Sequence, residues 1–287
     1  LRMLVNRAFV SRNVEQLRGR IERLAHELID AFEDDGETEL LKAFAAPLPA
    51  VVIAEMIGLP AAMAPQLLDW SNRMVAMYMY GVTRETEDDA NRASIEFIDY
   101  LRSVIAERRR QPREDLLTHM LTADPNDGQK LTEDEVISTT ILLLNAGHEA
   151  TVHTTGNGVA AILQSGLDPK ALFAGEEQAA ATVEECLRYD APLQLFERWV
   201  LDPGVEIAGV ALPVGARVAM LLGSANRDPR RFSDPERFDV GRGDASHVAF
   251  GGGILFCLGA PLARLEIVTT LGLLAARLPR LELAEAP

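Results

Sequence analysis

The sequence predicts a mainly α-helical fold with a small β component, spanning residues 1–287 as a single domain. Three observations carry this prediction. Apolar residues recur at helical spacing through residues 1–165. A capping box at Thr132 and Glu135 opens one long helix. Short apolar runs separated by turn residues appear only between Leu195 and Leu222.

The elements follow in order. Leu4, Val5, Ala8 and Phe9 share helical spacing, as do Val14, Leu17, Ile21, Leu24 and Ala25. Gly58-Leu59-Pro60 ends one helix, and Pro65 sits near the start of the next. Residues 90–110 are amphipathic, with Ile95, Ile98, Leu101 and Ile105 as the expected buried stripe. Pro125-Asn126-Asp127-Gly128 reads as a loop. The long helix is expected over residues 133–164, and its all-apolar centre, Ile141-Leu142-Leu143-Leu144, is expected to pass through the core. A loop and one helix ended by Pro192 fill residues 166–192. Val205-Glu206-Ile207 and Val210-Ala211-Leu212 flank Ala208-Gly209 as a hairpin. Residues 226–258, rich in Gly, Pro, Asp and Arg, read as an ordered meander. A last helix is expected from near Pro261 to about Arg277.

Composition excludes several classes. Hydrophobic residues are 48% and charged residues 25%, the balance of an ordinary globular protein. The net charge of -15 repels phosphate backbones, so nucleic acid is not an expected partner. No apolar run reaches the ~18 residues of a membrane span. Two cysteines, Cys186 and Cys257, rule out a disulfide framework and point to the cytoplasm. The opening Leu1-Arg2-Met3-Leu4-Val5-Asn6-Arg7 reads as the middle of a helix, so residues upstream of it are expected.

The densest local signal is Phe250-Gly251-Gly252-Gly253-Ile254-Leu255-Phe256-Cys257-Leu258-Gly259. Glycines on both sides let the backbone take left-handed conformations and approach the sulfur. Pro261 places Cys257 just before a helix N-terminus, where free N–H groups and the dipole favour a thiolate. A lone thiolate in a tight apolar loop suits an axial iron ligand better than zinc. A buried cysteine beside glycines that merely turn the chain is the plainer alternative.

The run resembles the haem-binding segment of the cytochrome P450 family, Phe-x-x-Gly-x-x-x-Cys-x-Gly, at Phe250, Gly253, Cys257 and Gly259. The likeness continues through Ala260-Pro261-Leu262-Ala263-Arg264-Leu265-Glu266 and is strongest to the bacterial branch. It implies a P450-like fold lacking the family's first portion, and a haem b whose iron is bound by Cys257. Phe250, Gly251, Gly253, Leu255, Gly259 and Ala263 would line that cofactor. Glu185-Cys186-Leu187-Arg188 resembles the family's Glu-x-x-Arg motif, and Arg237 its third charge, all structural support behind the haem. Arg198 and Arg2 resemble the arginines that pair with haem propionates. His247 would lie near the haem edge or be an ordinary loop histidine. Ala146-Gly147-His148-Glu149-Ala150-Thr151 resembles the oxygen-activation segment of the long helix. There Gly147 would allow a bulge, and Glu149, with Thr151, would serve proton delivery.

The sequence departs from the family at two of these positions. Ala150 stands where the relay threonine is usual, and Thr151 lies about 100° further round the helix. Uncoupled turnover, with electrons lost to hydrogen peroxide, is therefore expected. Leu255 stands where a propionate-pairing His or Arg is usual, which lowers the expected haem affinity.

The resemblance implies a monooxygenase that puts one oxygen atom from O2 into a small organic substrate. Its electrons would come from a ferredoxin and ferredoxin reductase. Residues 1–23 hold six arginines against two glutamates and resemble the face on which the family docks such donors. A degenerate, non-catalytic relative and a haem-thiolate peroxygenase or isomerase are the alternatives. A zinc hydrolase is disfavoured: His148 and His153 are five apart, about 140° round a helix, and cannot share one metal.

Overall fold

The computed structural model describes residues 2–122, 131–243 and 246–284. Its helices are α1 (Arg2–Asn6), α2 (Ser11–Glu15), α3 (Arg18–Asp30), α4 (Pro47–Ile57), α5 (Ala64–Val75), α6 (Arg84–Arg110), α7 (Leu116–Thr122), α8 (Glu133–Ser165), α9 (Pro169–Leu172), α10 (Glu176–Tyr189), α11 (Leu222–Ala225) and α12 (Ala260–Arg277). Four short strands lie between α10 and α11: β1 (Leu195–Trp199), β2 (Glu206–Ile207), β3 (Val210–Ala211) and β4 (Arg217–Leu221). Packing divides the chain into two compact units, Leu1–Gly156 with Leu258–Leu274, and Asn157–Cys257 with Ala275–Pro287. The expected loop at 125–128 lies outside the described residues.

In the first unit the helix boundaries follow the sequence signals. α4 ends at Gly58, which takes the left-handed conformation (φ 103°) that glycine adopts without strain. The carbonyl of Gly58 accepts a hydrogen bond from Arg108 Nη2 at 2.5 Å, and Arg108 Nε pairs with Asp115 at 2.7 Å. The side chains of Arg108 and Asp115 are 2% and 8% exposed, so this pair ties the ends of α4 and α6 to the start of α7. Trp70 of α5 stacks on Phe97 of α6 with ring centroids 5.1 Å apart. Thr132 and Glu135 form the expected reciprocal cap of α8: Glu135 N donates to Thr132 Oγ1 at 3.2 Å, and Thr132 N to Glu135 Oε2 at 2.8 Å.

Two expectations fail here. The buried stripe of α6 runs through Ala90, Ala93, Phe97, Leu101, Val104 and Ile105, while Ile95 is 60% exposed. Phe97 is one turn before Leu101 and shares its face, whereas Ile95 is six residues away and does not. The centre of α8 is not buried all round either. Leu144 is buried, but Leu142 is 62% exposed, and Ala146 and Ala150 share its exposed face at four-residue intervals.

The second unit carries the β component. β1 and β4 pair antiparallel, with Leu195 opposite Leu221 and Trp199 opposite Arg217. β2 and β3 form the expected hairpin across Ala208 (φ 51°) and Gly209 (φ 80°). Two successive left-handed residues match the twist of paired strands.

Candidate functional site

Cys257 and Cys186 have opposite environments. Cys186 is 2% exposed on α10, and burial, with Glu185 beside it, pushes its thiol well above the ordinary range. It stays a neutral thiol. Cys257 is exposed at the end of a loop whose neighbours Ile254, Leu255 and Phe256 are 91%, 55% and 42% exposed. The loop is closed by backbone bonds: Gly251 N donates to Val248 O at 2.8 Å, and Cys257 N to Phe250 O at 3.0 Å. Gly251 (φ 71°) and Gly253 (φ 64°) are left-handed, with open space where a Cβ would stand. α12 begins three residues after the cysteine, with Pro261 in its first turn. Ala263 N donates to Gly259 O at 2.9 Å as that turn forms.

Helix α10 supports the loop from behind. Glu185 and Arg188 are both buried and form a two-pronged pair, Nε to Oε2 at 2.7 Å and Nη2 to Oε1 at 2.8 Å. The remaining capacity of each is used, as a buried ion pair requires. Glu185 Oε1 accepts from Asp239 N at 2.7 Å. Arg188 donates to the carbonyls of Asn226, Pro235 and Arg237 at 2.9, 2.9 and 3.1 Å. Arg237 therefore enters the cluster by its carbonyl oxygen, and its side chain is exposed. The expected third charge is supplied instead by Arg242, whose Nε lies 3.5 Å from Glu185 Oε2.

Sequence reading missed two more residues. Asn226, fully buried, accepts Val248 N on Oδ1 at 2.7 Å and so joins Arg188 to the cysteine loop. Glu184 accepts from His247 Nε2 at 3.0 Å. The turn-rich run Ala225-Asn226-Arg227-Asp228-Pro229 is the sequence signal that could have marked Asn226. Arg242 and Glu184 carry no such signal.

On α8, Glu149 is half-buried, Ala150 exposed and Thr151 5% exposed. Thr151 therefore lies on the buried side of the helix and Ala150 on the exposed side. The helix is α-helical throughout, with no bulge at Gly147. A Cβ at Gly147 would stand 2.9 Å from Ile53 Cγ1 of α4, so the glycine is required by close helix packing. His148 is 3% exposed, and its Nδ1 lies 3.0 Å from Leu144 O; His153 is exposed, so the two do not converge on one metal. Arg198 is exposed on β1, its guanidinium 3.9 Å from the centroid of the Phe196 ring. Arg2 is exposed on α1.

A single exposed thiol, held in a glycine-shaped loop and flanked by exposed apolar side chains, suits a metal that brings its other ligands in an apolar macrocycle. The residues present thus fit haem, and the class defined is that of proteins holding haem iron through cysteine. Comparison with known proteins gives the family. The family model "Cytochrome P450" matches residues 52–165 and 179–278. The polyketide biosynthesis cytochrome P450 PksS of Bacillus subtilis is 40% identical over 100% of this chain and 69% of its own length. The 6-deoxyerythronolide B hydroxylase of Saccharopolyspora erythraea is 37% identical over 99% of this chain and 69% of its own. Among solved structures, P450BioI in complex with a hexadec-9Z-enoic acid ligated acyl carrier protein matches with a TM-score of 0.93 and 36% identity, over 99% of this chain and 73% of that one.

The chain belongs to the cytochrome P450 family. It is a haem-thiolate monooxygenase that inserts one oxygen atom from O2 into a small organic substrate with electrons from a redox partner. No described helix is long and apolar enough to cross a membrane.

Proposed function

We propose that Cys257 is the thiolate ligand of a haem b in a single P450 domain spanning both compact units. One observation carries this reading: Cys257 alone of the two cysteines is exposed, in a loop closed by the hydrogen bond its own N–H donates to Phe250 O. Ile254, Leu255 and Phe256 would lie against the porphyrin face or rim. Bound haem supplies the activation of dioxygen and the transfer of one oxygen atom to the substrate. Arg198 and Arg2 are exposed guanidinium groups that would pair with the propionates.

Glu149 takes the proton-handling role on α8. It is partly exposed beside Ala150, whereas Thr151 is buried on the other side, so Glu149 and water must carry protons that a hydroxyl at position 150 would otherwise pass. The reaction is therefore expected to be loosely coupled. The exposed apolar face of Leu142, Ala146 and Ala150 suits an apolar or mixed substrate. The electron donor in this reading is an acidic ferredoxin with its reductase. Supporting it, Arg7, Arg12 and Arg23 are exposed and make no ion pair among the described residues, while Arg18 and Arg20 pair with Glu15 and Glu55. A sequence with only two cysteines favours the cytoplasm as the place of work.

The test is the absorbance spectrum of the reduced, carbon-monoxide-bound protein after haemin is added. A long-wavelength Soret band that disappears in Cys257→Ser is the expected result. A histidine-type band, or one unchanged by Cys257→Ser, would overturn the assignment.

A further inference from the structure

His247 precedes Cys257 by ten residues in the chain and is built into the foundation of its loop. Its side chain is 2% exposed. Nδ1 accepts a hydrogen bond from Ala249 N at 3.2 Å, and Nε2 lies 3.0 Å from Glu184 Oε2 of α10. A nitrogen that accepts from a backbone N–H carries no proton, so the ring proton sits on Nε2 and is donated to the carboxylate. The imidazole thus has one tautomer fixed from both ends. The ring also packs 6.1 Å from Phe250, the residue whose carbonyl receives the Cys257 amide.

We propose that the Glu184–His247 pair is a positioning device for Cys257, acting through the segment from Val248 to Phe250. The inference rests on the reading of Cys257 as the iron ligand. The chain of bonds is short. Glu184 holds the ring, and the ring caps the turn at Ala249. Val248 is fixed on one side by Asn226 Oδ1 and, through its carbonyl, receives Gly251 N. Phe250 O then receives Cys257 N. The Glu185–Arg188 cluster reaches the same segment through Asn226, so two neighbouring acids of α10 anchor it at two successive residues. Outer-shell groups of this kind orient a ligand without touching the metal.

The test uses the haem-loaded protein. His247→Ala and Glu184→Ala should each speed haem release about tenfold or more, the usual effect of losing an outer-shell partner. Each should also move part of the reduced carbon-monoxide Soret band from the thiolate to the thiol position. Glu184→Gln keeps an acceptor for Nε2–H and should stay close to the unmodified protein. The double alanine variant should lose no more than either single one, because both remove the same link. Nitrogen NMR of labelled histidine should find His247 protonated on Nε2 only. Amide exchange at residues 248–257 should quicken in His247→Ala whether or not haem is present. An unchanged spectrum, release rate and exchange in His247→Ala would overturn the inference, as would a proton on Nδ1. If the unmodified protein lacks the thiolate band, the Cys257 reading fails by itself, and the exchange measurement still decides the role of His247.

Discussion

Ala150 and Leu255 are the two positions where the proposed site departs from the family pattern that the sequence resembles. Ala150 is exposed on α8 and has no hydroxyl. Ala150→Thr should therefore raise the ratio of product formed to NAD(P)H consumed and lower the hydrogen peroxide released. Equal ratios in the two proteins would show that Glu149 and water already suffice. Leu255 is 55% exposed beside Cys257 and cannot pair with a carboxylate. Leu255→His or Leu255→Arg adds a charge-assisted bond worth up to about 1 kcal/mol at such exposure, so haemin should bind roughly fivefold more tightly. A competition measurement with apomyoglobin reads that directly. Both substitutions were legible in the sequence because the surrounding motif fixes their place. The exchange of Arg237 for Arg242 was not, since motif order specifies which residues meet and not whether a guanidinium or a carbonyl does the meeting.

Among the elements, the C-terminus of α4 is a tightly constrained joint. A Cβ on Gly58 would stand 2.3 to 2.5 Å from Asp115, and the residue already has φ 103°. Gly58→Ala must leave the left-handed region or displace Asp115 from buried Arg108. Breaking such a pair costs roughly 3–5 kcal/mol. Gly81→Ala is the control: its φ is 79° but nothing lies within 4 Å, so only the conformational cost of about 1 kcal/mol applies. Thermal unfolding should rank Gly58→Ala far below Gly81→Ala. The helix stops, the capping box of α8 and the β2–β3 turn were all readable because each is decided by a few neighbouring residues. The buried face of α6 and the exposed side of Leu142 were not. They depend on what packs against the helix, and periodicity alone does not choose between Ile95 and Phe97.

Over the whole molecule, two buried titratable groups set opposite limits on stability. Glu266 of α12 is 1% exposed, and neither carboxyl oxygen has a hydrogen-bond partner among the described residues. Burial pushes its pKa well above 4.5. The folded chain keeps a proton there that the unfolded chain releases, so this contribution is full below 4.5 and is lost as pH rises toward the folded value. His148 works the other way. Burial lowers its pKa below 6.5, so the unfolded ring takes up a proton that the folded ring refuses, and stability falls as pH drops below 6.5. Glu266→Gln should flatten the decline of the denaturation midpoint as pH rises above 4.5 while leaving the acidic decline in place. An unchanged alkaline slope would mean that Glu266 is ionised in the folded protein.

The approach of Gly147 to Ile53 makes the two positions historically dependent. Any side chain at 147 needs a smaller one at 53, since the added carbon would meet Ile53 Cγ1 at 2.9 Å. Ile53→Ala, which removes Cγ1, must come first, at the cost of a cavity, before Gly147→Ala is tolerated. A lineage that takes the steps in the reverse order passes through an overpacked intermediate. Random mutagenesis of residues 146–151 should therefore recover changes at 147 only in backgrounds already altered at 53.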